Sequence, residues 1–418
     1  MNEIDEAVVI STFSSLERRY DLDWLRIIAI FMVFVYHCTK FFDAEGLNIK
    51  NAETNVNISI GMTFVTAMGI PLFFLIAGMS AFYAIGFMEK RGIKNNRYVL
   101  VRFLRLLVPY FIGMLTYISI LVYLEWANKG FLDPNTVSFF AFYPQYFKGF
   151  YGFGGNFSLF GHHLWFLVIL FVISMILFYP FILLRKEKNR SCISKIASFM
   201  NKPGILFFLI IPIYIIEVLH NTNETWFSLG RLGGWDFISY IFFYIYGFFF
   251  AYDKQFRQSL KKNNKLAIIL TVVTAVPLVF LNLRFLDDLY VNPSFHYIEA
   301  IFYLLRTIYA FSLLILIINL GEKFLNKDSK ARKFLNELVL PFYIIHFVVV
   351  GIIGYFVVQL ELSIIVKYLI ILVSAFIANF LLLIIIREFN SSRFVFGMRI
   401  KKEKGILRFI RKKEISEN

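Results

Sequence analysis

Ten apolar runs separated by short polar connections occupy this chain from Trp24 to Ile386. A helix needs roughly 17–25 mostly apolar residues to cross the hydrocarbon core of a bilayer. In lipid every backbone N–H and C=O must find its partner within the protein, so a series of such runs has one solution, a helix bundle. The runs are 24–42, 62–87, 103–124, 163–184, 204–219, 236–252, 264–282, 297–320, 335–357 and 363–386, the fifth and sixth being the shortest. The expected fold class is therefore an all-α membrane protein of about ten transmembrane helices. It comprises an N-terminal arm (1–23), one membrane domain (24–386) and a basic tail (387–418).

Composition agrees. Of 418 residues, 59% are hydrophobic and 17% charged, against roughly 45–50% and about 25% in soluble domains. The net charge of +15 does not signal a nucleic-acid partner, because the basic residues sit in short clusters between apolar runs. Their placement follows the retention of positive loops in the cytoplasm. Thirty-three Lys and Arg fall in the arm, the tail and the alternate connections 88–102, 185–202, 253–265 and 321–334, against five in the opposite set. Both termini are expected in the cytoplasm, the protein in the cell membrane, and membrane lipid as its surroundings. The start MNEIDEAVV lacks the basic-then-apolar pattern of a cleaved signal. Cys38 and Cys192 fall on opposite sides of the bilayer, so no disulfide is expected. No C-x-x-C or similar spacing occurs, and no metal is expected.

Ionisable residues inside membrane spans are costly and mark functional sites by default. The first run, DLDWLRIIAIFMVFVYHCTKFF, holds the clearest set. Arg26 and His37 are eleven positions apart, hence about 20° apart in azimuth and about 16 Å apart along the axis. Asp23 precedes Arg26 by one turn and Lys40 follows His37 by one turn. One stripe thus runs from an ion pair at the inner surface to a histidine further out. His37 is either a core histidine bonded to a carbonyl or a working base, and its alignment with Arg26 favours the second. Imidazole, with an unperturbed pKa near 6.5, takes a proton from a hydroxyl and returns it.

Arg102 and Arg105, in RFLRLLVPY, form a second constellation. At helical i, i+3 spacing they share a face, and guanidinium groups bind phosphate bidentately. Their alternative role is that of positive anchors at the inner surface. His162, His163 and Trp165 open the fourth run, and His346 follows Pro341 in LPFYIIH. Glu299 and Arg306 lie on one face of the eighth run, where a structural ion pair is the expected role. Glu125 and Glu217 read as caps at the interface. Pro71, with Gly69 and Gly78, is expected to interrupt or loosen the second helix. The glycine- and aromatic-rich segment 125–162 is expected to lie in the outer interface or to cover a substrate opening. The tail stretch KKEKGILRFIRKK reads as a topology anchor or an amphipathic surface helix.

Taken in order, these motifs resemble the integral-membrane acyltransferase-three family, which includes O-antigen acetylases and glucan-succinylating proteins. LDWLRIIAIFMVFVYH is similar to that family's first helix, with Arg26 and His37 in its Arg-x10-His spacing. PLFFLIAGMSAF resembles its second-helix motif, and Arg102 with Arg105 its Arg-x-x-Arg. HLWFLVIL and LPFYIIH are closest to the branch of periplasmic-glucan modifiers. The likeness spans roughly residues 20–385. The esterase domain that some relatives carry is not expected in the 32 residues after the last run. The resemblance implies transfer of an acyl group, acetyl or succinyl, from cytoplasmic acyl-CoA to a hydroxyl of a carbohydrate or other surface acceptor. It further implies that Arg26, Arg102 and Arg105 serve the donor's phosphates and that His37 is the base or transient acyl carrier. Asp23, His163, Trp165, Glu299, Arg306 and His346 would be substrate-binding or supporting residues. Two other readings compete: a transporter or flippase for a glycan or lipid-linked sugar, which broken helices at Pro71 and Pro341 would suit, and a non-catalytic scaffold on the same fold.

Overall fold

A computed structural model describes residues 19–44, 49–221, 232–285 and 297–400. The arm before Arg19 and the stretch KKEKGILRFIRKK lie outside the described residues. The chain begins with α1 (Tyr20–Thr39), α2 (Val56–Lys90) and α3 (Asn95–Arg102). A π-helical turn (Phe103–Leu107) leads into α4 (Val108–Leu115), followed by α5 (Ile118–Asn128) and α6 (Phe139–Tyr146). A 3-10 turn (His162–Leu164) opens α7 (Trp165–Ile176), continued by α8 (Phe178–Leu184), α9 (Glu187–Met200) and α10 (Ile210–Asn221). Then come α11 (Phe237–Tyr252), α12 (Lys254–Lys262), α13 (Asn264–Arg284) and α14 (Tyr297–Leu320), which ends in a second π turn (Gly321–Leu325). The series closes with α15 (Lys330–Val357), α16 (Ile364–Glu388) and α17 (Asn390–Val395). No strand occurs among the described residues, only two isolated bridges, Phe150–Phe157 and Leu232–Trp235.

Every predicted run falls mainly on helix, and the architecture is all-α. Among the described residues seven helices are long and apolar enough to cross a bilayer, and up to nine if each bent pair counts as one span. The bent pairs are His162–Ile176 with Phe178–Leu184 (43°) and Glu187–Met200 with Ile205–Leu219 (112°). The sharper bend lies just before the fifth predicted run, which is itself helical over Ile205–Leu219. Its polar predecessor α9 is helical too, and Gly204, in the left-handed region at φ 77°, turns the chain between them. The sixth run, α11, is a short helix of 16 residues. The third run is also divided, because helix Asn95–Leu115 stops at Thr116 before α5 begins.

Exposure separates the centre from the lipid-facing rim. The most apolar windows of α13 and α16 are 28% buried, whereas those of α14 and α15 are 61% and 56% buried. Val272, Val273 and Val276 on α13 and Ile365, Val373 and Leu381 on α16 lie open to the surroundings. Apolar surface that extensive calls for lipid rather than water. The expected break at Pro71 does not occur, since α2 continues through it to Lys90. Gly78 serves instead as a contact point, with its Cα against the backbone of α11. Pro341 likewise lies within a continuous α15. Among the described residues both cysteines are free, Cys38 buried and Cys192 exposed.

Candidate active site

The helical period places Arg26 and His37 on one stripe of α1, and the structure gives each a separate surrounding. Arg26 Nη2 donates to Ser80 Oγ on α2 at 2.9 Å, and Nη1 lies 3.5 Å from both Asp23 Oδ1 and Asn336 Oδ1. Asp23 is held more tightly by Arg332, which also binds Asp328 at 2.7 Å and packs its guanidinium over the Tyr20 ring. The hydrogen bond from Arg332 holds the Asp328 carboxyl down to about 2. Asp23 is thus shared between Arg26 and Arg332, one carboxylate oxygen facing each.

Arg102 and Arg105 approach the same end. Arg26, Arg102 and Arg399 all act electrostatically on Arg105, and the carboxylate that opposes them is the already engaged Asp23. The expected sharing of one helical face is modified by the π turn, in which Val108 N donates to Phe103 O, five residues back. The two side chains meet different surroundings. Arg102 lies over the Tyr98 ring at 5.2 Å with Tyr244 nearby, while Arg105 is exposed. Insertions of this kind recur at functional sites. Pro109, which has no N–H, follows directly.

His37 belongs to a group of three imidazoles drawn from three helices. Its ring centroid lies 5.2 Å from that of His346 on α15 and 6.4 Å from that of His163, with 5.3 Å between the latter two. Phe347 packs against His37 at 4.5 Å and His163 at 4.9 Å. Backbone geometry supplies His163: Gly161 (φ 62°) and His162 (φ 48°) take successive left-handed conformations just before it. Such a conformation is uncommon outside glycine, though less so for histidine.

Carbonyl oxygens accept hydrogen bonds and never donate them, and this fixes two tautomers. His163 Nε2 lies 3.0 Å from Tyr343 O and 3.1 Å from Ile344 O, so that nitrogen carries the proton. His346 Nδ1 lies 2.8 Å from Tyr343 O and 3.1 Å from Phe342 O and is likewise the protonated one. The neutral rings therefore present bare lone pairs at His163 Nδ1 and His346 Nε2. Both are buried without a hydrogen-bond partner, as is His37 Nδ1. Buried polar atoms are seldom left so, and here three imidazole nitrogens gather in one place. Among the described residues no three His, Cys, Asp or Glu side chains adopt an arrangement that would hold a metal.

A cavity of about 20 Å³, enough for one water, lies against His37 and is lined also by Lys40, Glu125, Leu121 and Phe347. Glu125 is no interfacial cap: it is 3% exposed and takes a hydrogen bond from Lys129 Nζ at 2.6 Å. Tyr151 OH approaches its two oxygens at 2.9 and 2.7 Å. Burial, reinforced by this carboxylate, pushes the Tyr151 hydroxyl well above its ordinary range and keeps it a donor. The Tyr151 ring also touches His162 at 5.0 Å. The glycine-rich segment therefore contributes a side chain to the site. Lys40 binds Asp43 at 2.6 Å, and Lys50 binds the same buried carboxylate. Beyond them a wide polar groove opens, lined by Lys50, Asn51, Glu53, Asn128, Gln359 and Glu361.

Trp165, Glu299 and Arg306 belong elsewhere. Arg306, 3% exposed, lies 3.8 Å from the Glu217 carboxylate, donates to Gly234 O and packs over the Trp235 ring at 4.2 Å. Glu217, expected as a cap, is 1% exposed and also receives hydrogen bonds from Asp236 N and Ser239 Oγ. Trp165 stacks on Tyr240 at 5.9 Å beside Gly233. Glu299 is 2% exposed on the same helix as Arg306. Sequence reasoning passed over Ser80, Tyr151 and the buried state of Glu125. Ser80 stood inside the recognised stretch GMSAF, whereas Tyr151 gave no signal.

A row of guanidiniums at one end of α1, and imidazoles with free lone pairs eleven residues along it, suits transfer of a group from an anionic carrier to a nucleophile. The acyltransferase domain of the acyltransferase-three family matches residues 19–388. No curated protein and no solved structure matches the chain. The chain belongs to the integral-membrane acyltransferase-three family and is an enzyme that transfers acyl groups.

Proposed function

We propose that the protein moves an acetyl or succinyl group from cytoplasmic acyl-CoA to a hydroxyl of a cell-surface carbohydrate. In this reading it is a multi-pass protein of the cell membrane with both termini in the cytoplasm. The observation that carries it is the placement of Arg26 and His37 on one continuous helix, about 16 Å apart by the rise of 1.5 Å per residue. Arg26, Arg102 and Arg105 grip the donor's phosphates, and the pantetheine arm threads the intervening distance, so the nucleotide itself need not cross. The cationic clusters of the connections support the orientation, and the polar groove beyond Lys50 supports a hydroxyl-rich acceptor.

At the imidazole end the acceptor hydroxyl gives its proton to His37, and its oxygen attacks the thioester carbonyl. The carbon–sulfur bond breaks, and the CoA sulfur takes the proton back from His37. The same atoms balance if His37 first accepts the acyl group and then passes it on. His346, with its ring 5.2 Å from that of His37 and a free lone pair at Nε2, is the positioning neighbour, taking a hydrogen bond from His37 only as the donor loads. Purified protein in vesicles, given labelled acyl-CoA on one side and a glycan acceptor on the other, tests the reading. Label should appear as an ester on the glycan, and glycans of cells lacking the protein should be lighter by the mass of that group. Labelled glycan formed equally well by the His37→Ala variant would overturn it. A single-turnover experiment without acceptor separates the two roles of His37, since only the carrier leaves label on the protein.

A further inference from the structure

Beyond α16 the chain turns back beneath the bundle as a short strap. Phe389 is extended, α17 follows, and the chain passes through Gly397 to Arg399. A buried guanidinium holds the strap in this shape. Arg393, 3% exposed, donates to Arg399 O at 2.7 Å, to Arg387 O at 3.1 Å and to Glu337 Oε1 at 2.7 Å. Met398 N closes the turn on Arg393 O at 2.7 Å.

The strap lies against the arginine pair. A Cβ on Gly397 would fall 2.6 Å from Arg105 O and 3.2 Å from Pro109 Cγ, and Gly397 takes a left-handed φ of 65°. Only glycine fits there. In a regular helix the carbonyl of residue 105 would accept from the N–H of residue 109, but Pro109 has none. The π turn and Pro109 thus leave the backbone open where the strap docks. Two residues further on, Arg399 is exposed and acts on Arg105. Like charges brought close repel one another. Their grouping calls for a polyanion, and the nucleotide end of acyl-CoA carries three phosphate groups.

We propose that the strap of residues 389–399 completes the donor site by placing the Arg399 guanidinium against a phosphate of the donor nucleotide. This rests on the reading of the donor as acyl-CoA, and it adds a residue outside the span 19–388 that the family match covers. A phospholipid headgroup offers the same phosphate chemistry, so the test must separate the two.

Wild-type protein and the variants Arg399→Ala, Arg399→Lys and Gly397→Val are reconstituted in vesicles of neutral phosphatidylcholine. Steady-state kinetics are recorded with acyl-CoA and with acyl-pantetheine, which lacks the nucleotide phosphates. Loss of one charge-assisted contact raises the KM for acyl-CoA about tenfold in Arg399→Ala, with partial recovery in Arg399→Lys and a similar rise in Gly397→Val. The KM for acyl-pantetheine does not follow. An unaltered KM for acyl-CoA in Arg399→Ala, or an equal rise for both donors, overturns the proposal. A rise seen only in vesicles containing phosphatidylglycerol assigns Arg399 to lipid and overturns it too. Should the wild-type protein use neither donor, the acyl-CoA reading itself fails.

Discussion

Gly78 and Gly247 lie reciprocally against each other's helix. A Cβ on Gly78 would stand 1.9 Å from Tyr244 O, and one on Gly247 would stand 1.9 Å from Leu75 O. Both obstacles are backbone, so no side chain can swing aside. Small residues give membrane helices this closeness, and here it joins α2, which carries Ser80, to α11, which carries Tyr244. Gly78→Ala or Gly247→Ala forces the helices apart. Each is expected to cost about 1–3 kcal/mol, the usual penalty of overpacking, read as a lower unfolding temperature in detergent.

Replacing His37 with Ala removes the group proposed to move the proton and is expected to lower acyl transfer by about 10²–10⁴-fold. Folding, followed by gel filtration and thermal unfolding, should change little, because the ring lines a cavity and its Nδ1 makes no hydrogen bond.

His346→Asn tests orientation. The variant keeps an amide N–H near the place of Nδ1, facing Phe342 O and Tyr343 O, but has no atom where the Nε2 lone pair stood. The expected outcome is a fall in kcat of about tenfold, the worth of one hydrogen bond in the reacting geometry, with the KM values for donor and acceptor kept. A wild-type kcat in this variant would remove His346 from any part in orienting His37.

Glu125→Gln leaves Lys129 without its carboxylate and weakens the Tyr151 hydrogen bonds beside the cavity. Transfer should fall about tenfold, at roughly 1–2 kcal/mol for the interactions lost. Tyr151→Phe should show part of the same loss in the same assay.

Arg306→Ala should separate architecture from chemistry. It strips the Glu217 carboxylate of its cation in a buried place, which costs about 3–5 kcal/mol. Folded yield and thermal stability are expected to drop, whereas the KM for acyl-CoA in the surviving folded fraction should match the wild-type value. The double variant Arg306→Met with Glu217→Gln should recover much of the yield.

The stripe on α1 was legible because both of its ends lie on one helix, where the 3.6-residue period fixes azimuth without any knowledge of neighbours. The apolar runs were legible for the same local reason, as was Arg102 near Arg26 once the family resemblance had been seen. The meeting of His163 and His346 at His37 was not, since it depends on how three helices are rotated about their own axes. Glu125 and Glu217 read as caps because a carboxylate at the end of an apolar run ordinarily finds water. Their burial depends on Tyr151 and Arg306, far away in sequence. The Pro71 expectation failed because the helix stays continuous where its neighbours pack closely around it. The π turn at Phe103–Leu107 leaves no mark in local propensity.

The unbroken course of α1 through eleven peptide units makes it a ruler. Side chains bend and loops shift, but the span between its guanidinium and its imidazole is set by covalent geometry and a hydrogen-bonded backbone, so it stays constant from turnover to turnover. A carrier with a shorter arm would be gripped and yet fall short of the imidazole, and one residue inserted midway would swing the two groups about 100° out of line. Selection among donors would then depend on the reach of the carrier as much as on the group it delivers.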